Sequence, residues 1–274
     1  MMDVWIYASG KNKFTALGKR WQAPFAGTAL RVLRTKGARH LFPGISISAA
    51  RLNKACMASS PNSPTSMIVY CIRHGQSTYN AEGRIQGQSD VPLSPLGHRQ
   101  AQALAEAMAG RRPEAIFTSP LRRALETARP LADRFELPLQ TDPRLKEIHA
   151  GVFQDRIRAE IEREYPGHLP RWRSGDLDYR MPGGESRREL IHRGKEALLA
   201  IRRLDYREVC VVAHGGVLLA AMKAVLGIAS EAPPLTMKNA SISKVVFNGK
   251  TRATLEFFDR IDHLEGLSFA EVNQ

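Results

Sequence analysis

Short apolar, β-rich runs recur from residue 68 onward, and their alternation with helical segments limits the fold more than any other feature of the chain. The first run, Ile-Val-Tyr-Cys-Ile at 68–72, is typical of a strand buried on both faces of a parallel sheet. Runs of similar composition predict further strands at 115–117, 139–141 and 208–213. A period-two pattern at 242–247 and 253–258 predicts a closing hairpin.

Helical segments separate these runs. Ser94-Pro95 and Ser119-Pro120 each offer an N-cap residue followed by proline at the first helical position, so a helix is predicted to begin at each. Further helices are predicted at 156–165, 186–204 and 217–226. The alternation predicts a doubly wound α/β domain of three layers, with a mostly parallel central sheet and helices on both faces. In such sheets, functional sites form where the strands end at their carboxyl edge.

The positive charge of the chain is concentrated in its first 66 residues. These hold ten Lys/Arg and one acid, Asp3, whereas 67–274 hold 30 Lys/Arg and 26 Asp/Glu. Most of the net charge of +13 therefore lies in residues 1–66, the leader. Nucleic-acid binding therefore loses its main support. The leader has three open interpretations: an organellar transit peptide, a disordered basic arm, or translated upstream sequence, the last of which we favour. The predicted organisation is a basic, low-order extension at 1–66, a catalytic domain at 67–260 and a tail at 261–274.

Several classes of protein are disfavoured by what the sequence lacks. No apolar run approaches the roughly 18 residues of a membrane span. The three cysteines form no CxxC pair or disulfide framework, which favours a reducing compartment and a cytoplasmic location, or an organellar one if 1–66 is a transit peptide. No HExxH, EF-hand or Walker motif occurs, so neither a metal nor a nucleotide cofactor is expected.

Two predicted strands end in histidine followed by glycine, at Arg73-His74-Gly75 and at His214-Gly215-Gly216. The first tripeptide opens a longer phrase, Arg-His-Gly-Gln-Ser-Thr-Tyr-Asn at 73–80. Three further blocks lie between the two histidine blocks, namely Thr-Ser-Pro-Leu-Arg-Arg-Ala at 118–124, Leu-Lys-Glu-Ile at 145–148 and Pro-Gly-Gly-Glu-Ser at 182–186. In their order and spacing, these five blocks resemble the histidine phosphatase superfamily. The resemblance is to its phosphoglycerate-mutase-like branch, which includes bacterial-type histidine phosphatases and α-ribazole phosphatases.

The resemblance implies a metal-independent phosphomonoester phosphatase working through a phosphohistidine intermediate. His74 would be the nucleophile, and Glu147 would protonate the leaving group and later activate water. A dianionic phosphate also requires fixed positive donors, for which arginine is well suited. The phosphate ligands are predicted to be Arg73, Arg123, Asn80 and His214. The family pattern selects Arg123 over its neighbour Arg122, and His214 is expected to act in its protonated form.

The sequence says less about the residues that bind the rest of the substrate, beyond its phosphate group. Many relatives carry an aromatic residue and then Glu-Gly after Gly151, whereas this chain has Val-Phe-Gln-Asp at 152–155. The segments 156–165 and 166–182, the second expected to be a loop, are predicted to form a lid that selects the substrate. The expected partner is a small phosphorylated metabolite, with no nucleic acid or membrane; a homodimer stays open. The alternatives are a cofactor-dependent phosphoglycerate mutase and a non-catalytic module that binds phosphorylated ligands.

Overall fold

The computed structural model describes residues 66–229, 235–249 and 252–267. In this part of the chain six strands form one sheet: β1 Ser66–Arg73, β2 Ala115–Thr118, β3 Leu139–Thr141, β4 Glu208–Ala213, β5 Ile242–Asn248 and β6 Arg252–Arg260. Their order is β3-β2-β4-β1-β5-β6. The first four are mutually parallel, and β5 is antiparallel to both β1 and β6. The predicted strands, their mostly parallel pairing and the closing hairpin are confirmed.

Seven α-helices lie in the described residues: α1 Thr78–Ala81, α2 Pro95–Ala107, α3 Arg122–Phe135, α4 Arg158–Glu164, α5 His168–Arg173, α6 Arg187–Arg202 and α7 Gly215–Leu226. Short 3-10 turns occur at Pro143–Leu145, Gly151–Phe153 and Asp262–Leu264. The longer helices form two layers. α2 packs against α3 on one face of the sheet, and α6 packs against α7 on the other. The predicted three-layer α/β fold is therefore confirmed.

The alternation of side chains along β1 explains why both faces are covered. Met67, Val69 and Cys71 belong to the apolar cluster that includes α6 and α7. Tyr70 and Ile72 point the other way and join the cluster that includes α2 and α3. A strand buried on both faces needs this continuous apolar run, because successive side chains leave opposite sides of the sheet.

The two predicted serine caps have different outcomes. Ser94 caps α2 as expected, since its hydroxyl accepts the Gly97 N–H at 3.0 Å. The prediction for Ser119 is wrong, because α3 begins only at Arg122, after Leu121 as N-cap. The Ser119 hydroxyl accepts the Leu121 N–H at 3.3 Å, one residue before the helix, and it also lies 2.8 Å from Nε2 of His214 at the site.

The segment at 166–182 was expected to be a loop, and the structure corrects this with the short helix α5. The helix packs through aromatic contacts: the rings of Phe153 and Trp172 meet edge to face at 6.2 Å. His168 Nδ1 lies 2.7 Å from the Tyr179 hydroxyl, which joins the start of α5 to the end of the segment. Isolated six-residue helices are not stable in water, so tertiary contacts rather than the local pattern decide this one.

The proposed extension at 1–66 lies outside the described residues except for Ser66, and of the tail at 261–274 only 261–267 are described. Cys71 and Cys210 are buried free thiols, and burial raises the pKa of the Cys71 thiol to about 12. Cys56 lies outside the described part. No helix among the described residues is long and apolar enough to cross a membrane.

Candidate active site

Two histidines meet at the carboxyl edge of the sheet because β1 and β4 are parallel neighbours. Arg73 pairs with Ala213 in the register of the two strands, so the next residue of each strand is histidine. The His74 amide donates to the Ala213 carbonyl at 2.9 Å, and the rings of His74 and His214 have centroids 5.1 Å apart. Both side chains are almost fully buried. The topology therefore brings together two residues that are 140 positions apart in the chain.

The tautomer of His74 is set by its own loop. Its Nδ1 lies 2.7 Å from the Gly75 carbonyl oxygen, which can only accept, so Nδ1 carries the proton. The lone pair of the neutral ring is therefore on Nε2. Burial, followed by the positive charges of Arg123 and Arg73, holds the pKa of His74 well below its usual 6.5. The imidazole is thus uncharged at neutral pH and has a free lone pair on Nε2, as a nitrogen nucleophile requires.

The second histidine is also neutral in this arrangement, and its protonated form stays a prediction for the complex with phosphate. Nε–H of Arg123 donates to Nδ1 of His214 at 3.2 Å, so Nδ1 must be unprotonated and Nε2–H donates to Ser119. Burial, then the positive charges of Arg123, Arg73 and Arg193, lowers the pKa of His214 well below 6.5. A charged imidazolium would require a nearby dianion to offset these cations.

The choice between the adjacent arginines is clear from their burial. The Arg123 side chain is fully buried and reaches His214, whereas the Arg122 side chain is 58% exposed and pairs with Glu126 on the surface of α3. The other nitrogens of Arg123 donate to the Ser89 and Gly87 carbonyls at 2.7 and 2.8 Å. The guanidinium is therefore fixed in orientation and faces the two histidines.

Arg73 is the last residue of β1 and directly precedes His74. It donates through Nη1 to the Met237 carbonyl, and its buried Nε has no hydrogen-bond partner in the described part of the chain. A buried guanidinium donor without a partner indicates a place for an acceptor. Desolvation lowers the pKa of Arg73, and the negative charges of Glu147 and Asp259 counteract it, so the guanidinium stays charged.

Asn80 is oriented by an amide network. Its Oδ1 accepts from the Ser77 N–H, the Ser77 hydroxyl and Nδ2 of Asn239, each at 3.1 Å. Because Oδ1 already accepts these hydrogen bonds, the side-chain NH₂ group of Asn80 is the part that can donate to a ligand. Asn239 also donates to the His74 carbonyl at 3.1 Å, which links Asn80 to the backbone of His74.

Glu147 is placed by the start of α7. Its Oε2 accepts the Gly216 N–H at 2.9 Å, and Oε1 accepts the N–H of Ile148 at 2.8 Å. A β-carbon on Gly216 would lie 2.3 Å from Oε1, so the carboxylate requires glycine there. The N-terminus of a helix favours a negative charge, which adds to the direct hydrogen bond.

The backbone around Glu147 is held by a partly buried ion pair. Arg193 and Glu185 form two hydrogen bonds, at 3.0 and 2.5 Å. Arg193 also donates to the carbonyls of Lys146 and Glu147, at 2.5 and 2.8 Å. This explains the position of the Gly-Gly-Glu block and of the arginine on α6.

All six sequence-predicted site residues lie at this edge of the sheet. Two contributors were missed: Ser119, interpreted as a helix cap, and Asn239, which no motif marks. Ser119 belongs to the sequence block at 118–124 and could have been found there. Asn239 lies in the segment before β5, which belongs to no block and reaches the site only through the fold. No group of three or more His, Cys, Asp or Glu side chains suited to a metal ion occurs within 66–229, 235–249 and 252–267.

Chemically, the arrangement combines a neutral imidazole nucleophile, two buried guanidinium groups, an amide donor and a carboxylate. Arginine forks and amide N–H groups bind phosphate oxygens, and a nitrogen nucleophile beside a carboxylate is suited to covalent transfer with acid–base assistance.

Comparison with known proteins agrees with the chemistry of this site. The model of the histidine phosphatase superfamily (branch 1) matches residues 69–260. A glucosyl-3-phosphoglycerate phosphatase of Mycolicibacterium vanbaalenii is 40% identical over 190 residues, covering 66% of this chain and 84% of that protein. A Proteus mirabilis protein named as a probable phosphoglycerate mutase, GpmB, is 34% identical over 212 residues, 75% of this chain and 99% of the relative.

Two solved structures extend the comparison. A mycobacterial glucosyl-3-phosphoglycerate phosphatase superposes with a TM-score of 0.65 at 34% identity, covering 72% of this chain and 100% of that one. An α-ribazole phosphatase from Shigella flexneri superposes with a TM-score of 0.66 at 25% identity, covering 71% and 96%.

Proposed function

The chain belongs to the histidine phosphatase superfamily, branch 1, and on that basis we propose that it is a phosphomonoesterase that hydrolyses a small phosphorylated metabolite through a phosphohistidine. The observation that carries the proposal is the hydrogen bond from His74 Nδ1 to the Gly75 carbonyl, which places the free lone pair on Nε2. A nucleophilic imidazole needs this tautomer.

In the first step Nε2 of His74 attacks phosphorus and the ester P–O bond breaks. Arg73, Arg123 and the Asn80 amide hold the non-bridging oxygens, whose charge they stabilise. His214 joins them by turning its Nε2–H from the Ser119 hydroxyl to a phosphate oxygen. The protonated form of Glu147 gives its proton to the leaving alcohol oxygen, so the alcohol departs neutral. The products of this step are free alcohol, phospho-His74 and the Glu147 carboxylate.

In the second step the Glu147 carboxylate takes a proton from water, and the resulting hydroxide attacks phosphorus. The P–N bond breaks, its electron pair returns to Nε2, and inorganic phosphate leaves. One residue thus acts first as acid and then as base, which restores the starting protonation after each turnover.

Trapping of the intermediate tests the mechanism. The protein is mixed briefly with a ³²P-labelled phosphomonoester and quenched in alkali, where phosphohistidine survives. Label is expected on the wild-type protein and absent from His74→Ala. His98→Ala, an exposed histidine on α2, is the matched control and keeps the label. Undiminished label in His74→Ala overturns the assignment of the nucleophile.

A phosphoglycerate mutase is the second candidate, because the GpmB relative shares 34% identity. It would use the same residues but return the phosphoryl group to a bound acid instead of water. Release of inorganic phosphate from 3-phosphoglycerate, without any requirement for 2,3-bisphosphoglycerate, supports the phosphatase. Interconversion of 2- and 3-phosphoglycerate that needs the bisphosphate supports the mutase.

We also propose that the catalytic unit spans 67–260 and acts in the cytoplasm, with 1–66 dispensable for the chemistry. The family match over 69–260 and the two buried free cysteines support this. A chain that starts at Met67 is expected to keep kcat/KM for p-nitrophenyl phosphate within about twofold. Loss of activity in that truncated protein would assign 1–66 a part in the site.

A further inference from the structure

The carbonyl of His74 is held by the tight turn 238–241, which precedes β5. The amide of Ala240 donates to this carbonyl at 3.0 Å, beside the 3.1 Å bond from Nδ2 of Asn239. The turn is closed by a hydrogen bond of 3.1 Å from the amide of its last residue to the carbonyl of its first. Two donors of this turn therefore fix the backbone of His74 directly.

Ala240 has a backbone conformation that alanine rarely adopts. Its φ is +55°, in the left-handed region, where the β-carbon lies too close to the following carbonyl oxygen. A β-turn with positive φ at its third residue usually has glycine or asparagine there. Ala240 is fully buried, so its backbone groups need partners within the protein. A strained residue of this kind keeps its conformation only where its surroundings impose it.

His263 supplies the hydrogen bond on the other side of Ala240. Its Nε2 lies 3.0 Å from the Ala240 carbonyl oxygen, which can only accept, so Nε2 carries the proton. Burial lowers the pKa of His263, so the ring is neutral at pH 7 and has this one N–H to donate. Both backbone groups of Ala240 are therefore bonded, the N–H to the His74 carbonyl and the carbonyl to the His263 ring.

The 3-10 turn Asp262–Leu264 anchors His263. Leu264 is fully buried, and its amide donates to the Ile261 carbonyl at 2.8 Å. The same 3-10 turn packs against α2. His263 also lines a cavity of about 130 Å³, so close packing does not surround the whole ring. The anchored segment therefore brings the imidazole to Ala240, and the free volume leaves room for other side chains at position 263.

The path from the 238–241 turn to the reacting nitrogen is short. The Arg73 amide donates to the Ser241 carbonyl at 3.1 Å, so the turn binds the backbones of both Arg73 and His74. Nδ1 of His74 bonds to the carbonyl of the next residue, Gly75, so the ring follows its own backbone. A reacting group displaced by about 1 Å can lose about 100-fold in rate. The conformation of this turn therefore bears directly on the attack.

We propose that His263 is a positioning residue for the nucleophile. Its hydrogen bond holds Ala240 at positive φ, and the 238–241 turn then holds the His74 carbonyl in place for the attack on phosphorus. The inference rests on the proposed phosphatase function, in which His74 is the nucleophile. It also adds the first residues after the proposed catalytic unit of 67–260 to those that shape the site.

Two substitutions of His263 test the proposal. His263→Phe keeps an aromatic ring but removes the N–H, and kcat/KM for p-nitrophenyl phosphate is expected to fall by at least ~10-fold, since only molecules that keep the turn are competent. His263→Gln places an amide N–H close to the position of Nε2 and should keep kcat/KM within about threefold of the wild-type value. A wild-type rate in His263→Phe, or an equal loss in both variants, overturns the proposal.

Asp262→Asn is the matched control for these changes. Asp262 is the adjacent residue, but it is exposed and pairs with Arg260 at the surface. An exposed pair of this kind contributes little, so kcat/KM should stay at the wild-type value. An equal loss in Asp262→Asn would mean that any change in this 3-10 turn slows the reaction, which contradicts a specific role of the His263 N–H.

Replacing Ala240 with glycine separates positioning from general support of the fold. Glycine adopts a positive φ without a steric penalty, so the turn would depend less on His263. In Ala240→Gly, the further change His263→Phe should reduce kcat/KM by no more than about threefold, compared with ~10-fold when alanine is present. Equal losses in the two backgrounds would mean that His263 acts through other contacts, and would overturn the proposal.

Hydrogen exchange of the Ala240 amide measures the turn without any turnover. This amide is bonded to the His74 carbonyl, so its exchange requires opening of the turn. Measured by NMR, its exchange should be at least ~10-fold faster in His263→Phe than in the wild type, and close to the wild-type rate in His263→Gln. The amide of Leu104, buried in α2, reports unfolding of the whole domain and should exchange equally in all three proteins. Unchanged exchange at Ala240 in His263→Phe overturns the proposal.

The exchange measurement also keeps this inference separate from the proposed function. Absence of phosphomonoester hydrolysis by the wild-type protein, with the difference in exchange still present, contradicts the phosphatase function and supports the role of His263 in the turn. Hydrolysis with equal exchange in all three proteins supports the phosphatase function and contradicts that role.

Discussion

Nε–H of Arg123 donates to Nδ1 of His214 across the core of the site, at 3.2 Å. The same guanidinium binds the Gly87 and Ser89 carbonyls, so three of its five N–H groups are committed to the protein. The remaining two are fixed in direction before any ligand arrives. Preorganised donors of this kind stabilise developing charge without further ordering.

Replacing Arg123 with lysine is expected to affect both stability and activity. An ammonium group cannot make the three bonds in this fixed geometry, and the site is fully buried. At about 1 kcal/mol for each net hydrogen bond, the free energy of unfolding should fall by about 2–4 kcal/mol. The kcat/KM for p-nitrophenyl phosphate should fall by at least ~100-fold, as for other transition-state donors. Urea unfolding and steady-state kinetics measure the two effects.

Arg122→Lys is the matched control for that change. Its exposed pair with Glu126 contributes at most about 0.5 kcal/mol, so both quantities should stay near the wild-type values. Equal effects of the two substitutions would refute the assignment of Arg123.

The pH dependence of stability should reveal the two neutral histidines. His74 and His214 both have folded pKa values below 6.5, so below pH 6.5 the unfolded chain binds protons that the native site does not accept. The free energy of unfolding therefore falls as the pH drops from 6.5 toward the folded pKa values, by up to about 1.4 kcal/mol per pH unit for each ring. Above pH 6.5 neither ring contributes to the slope.

Urea unfolding at several values between pH 7 and 5 measures this slope. His74→Gln removes one of the two groups and should lower the slope by about 1.4 kcal/mol per unit. His98→Gln, at an exposed position, should leave it as it is. A wild-type slope that survives in His74→Gln would show that His74 is already charged in the native protein.

The strand pattern, the helix layers and the six proposed site residues were all accessible from the sequence. They depend on signals within a few residues of each other: apolar runs for the strands, and contiguous blocks for Arg73-His74, Arg123 and Glu147. The parallel alternation then requires both histidines to emerge at one edge of the sheet. These short blocks were enough to predict the site residues, because the parallel sheet brings the ends of its strands to one edge.

Features that depend on long-range contacts were missed or misjudged. Ser119 has the local signature of an N-cap, but its hydroxyl also contacts His214, which lies 95 residues further along the chain. The protonation state of His214 follows from burial among cations that the sequence does not bring together. Asn239 belongs to no recognisable motif, and its contact with Asn80 joins residues 159 positions apart, so the sequence did not predict it.

Gly216→Ala should impair the proposed acid–base role of Glu147 more than the fold. The new β-carbon would lie 2.3 Å from Oε1 and displace the end of a flexible side chain, so the thermal midpoint should change little. We expect kcat for an alkyl phosphate to fall by ~10-fold or more, because its poor leaving group needs the proton. p-Nitrophenyl phosphate, whose leaving group is a weak base, should be affected much less.

The neighbouring glycine provides the control. A β-carbon on Gly215 would meet Arg73 Cδ at 3.6 Å, an ordinary contact, so Gly215→Ala should keep the ratio of the two rates. An equal loss for both substrates in Gly216→Ala would mean that the substitution disturbs phosphate binding instead of proton transfer.

Asn239→Asp should weaken phosphate binding from a position whose side chain binds the His74 backbone and Asn80. The amide Nδ2 donates to the His74 carbonyl and to Asn80 Oδ1, and a carboxylate there would face two acceptor oxygens without a proton to share. The free energy of unfolding at pH 7 should fall by about 1–3 kcal/mol, and the loss should shrink near pH 4, where the new carboxyl is protonated. The inhibition constant of inorganic phosphate should rise by ~10-fold, because Asn80 loses its orientation and a negative charge is added. Asn248→Asp, at an exposed position on β5, should change neither quantity. Unchanged phosphate inhibition in Asn239→Asp would remove Asn239 from the support of the site.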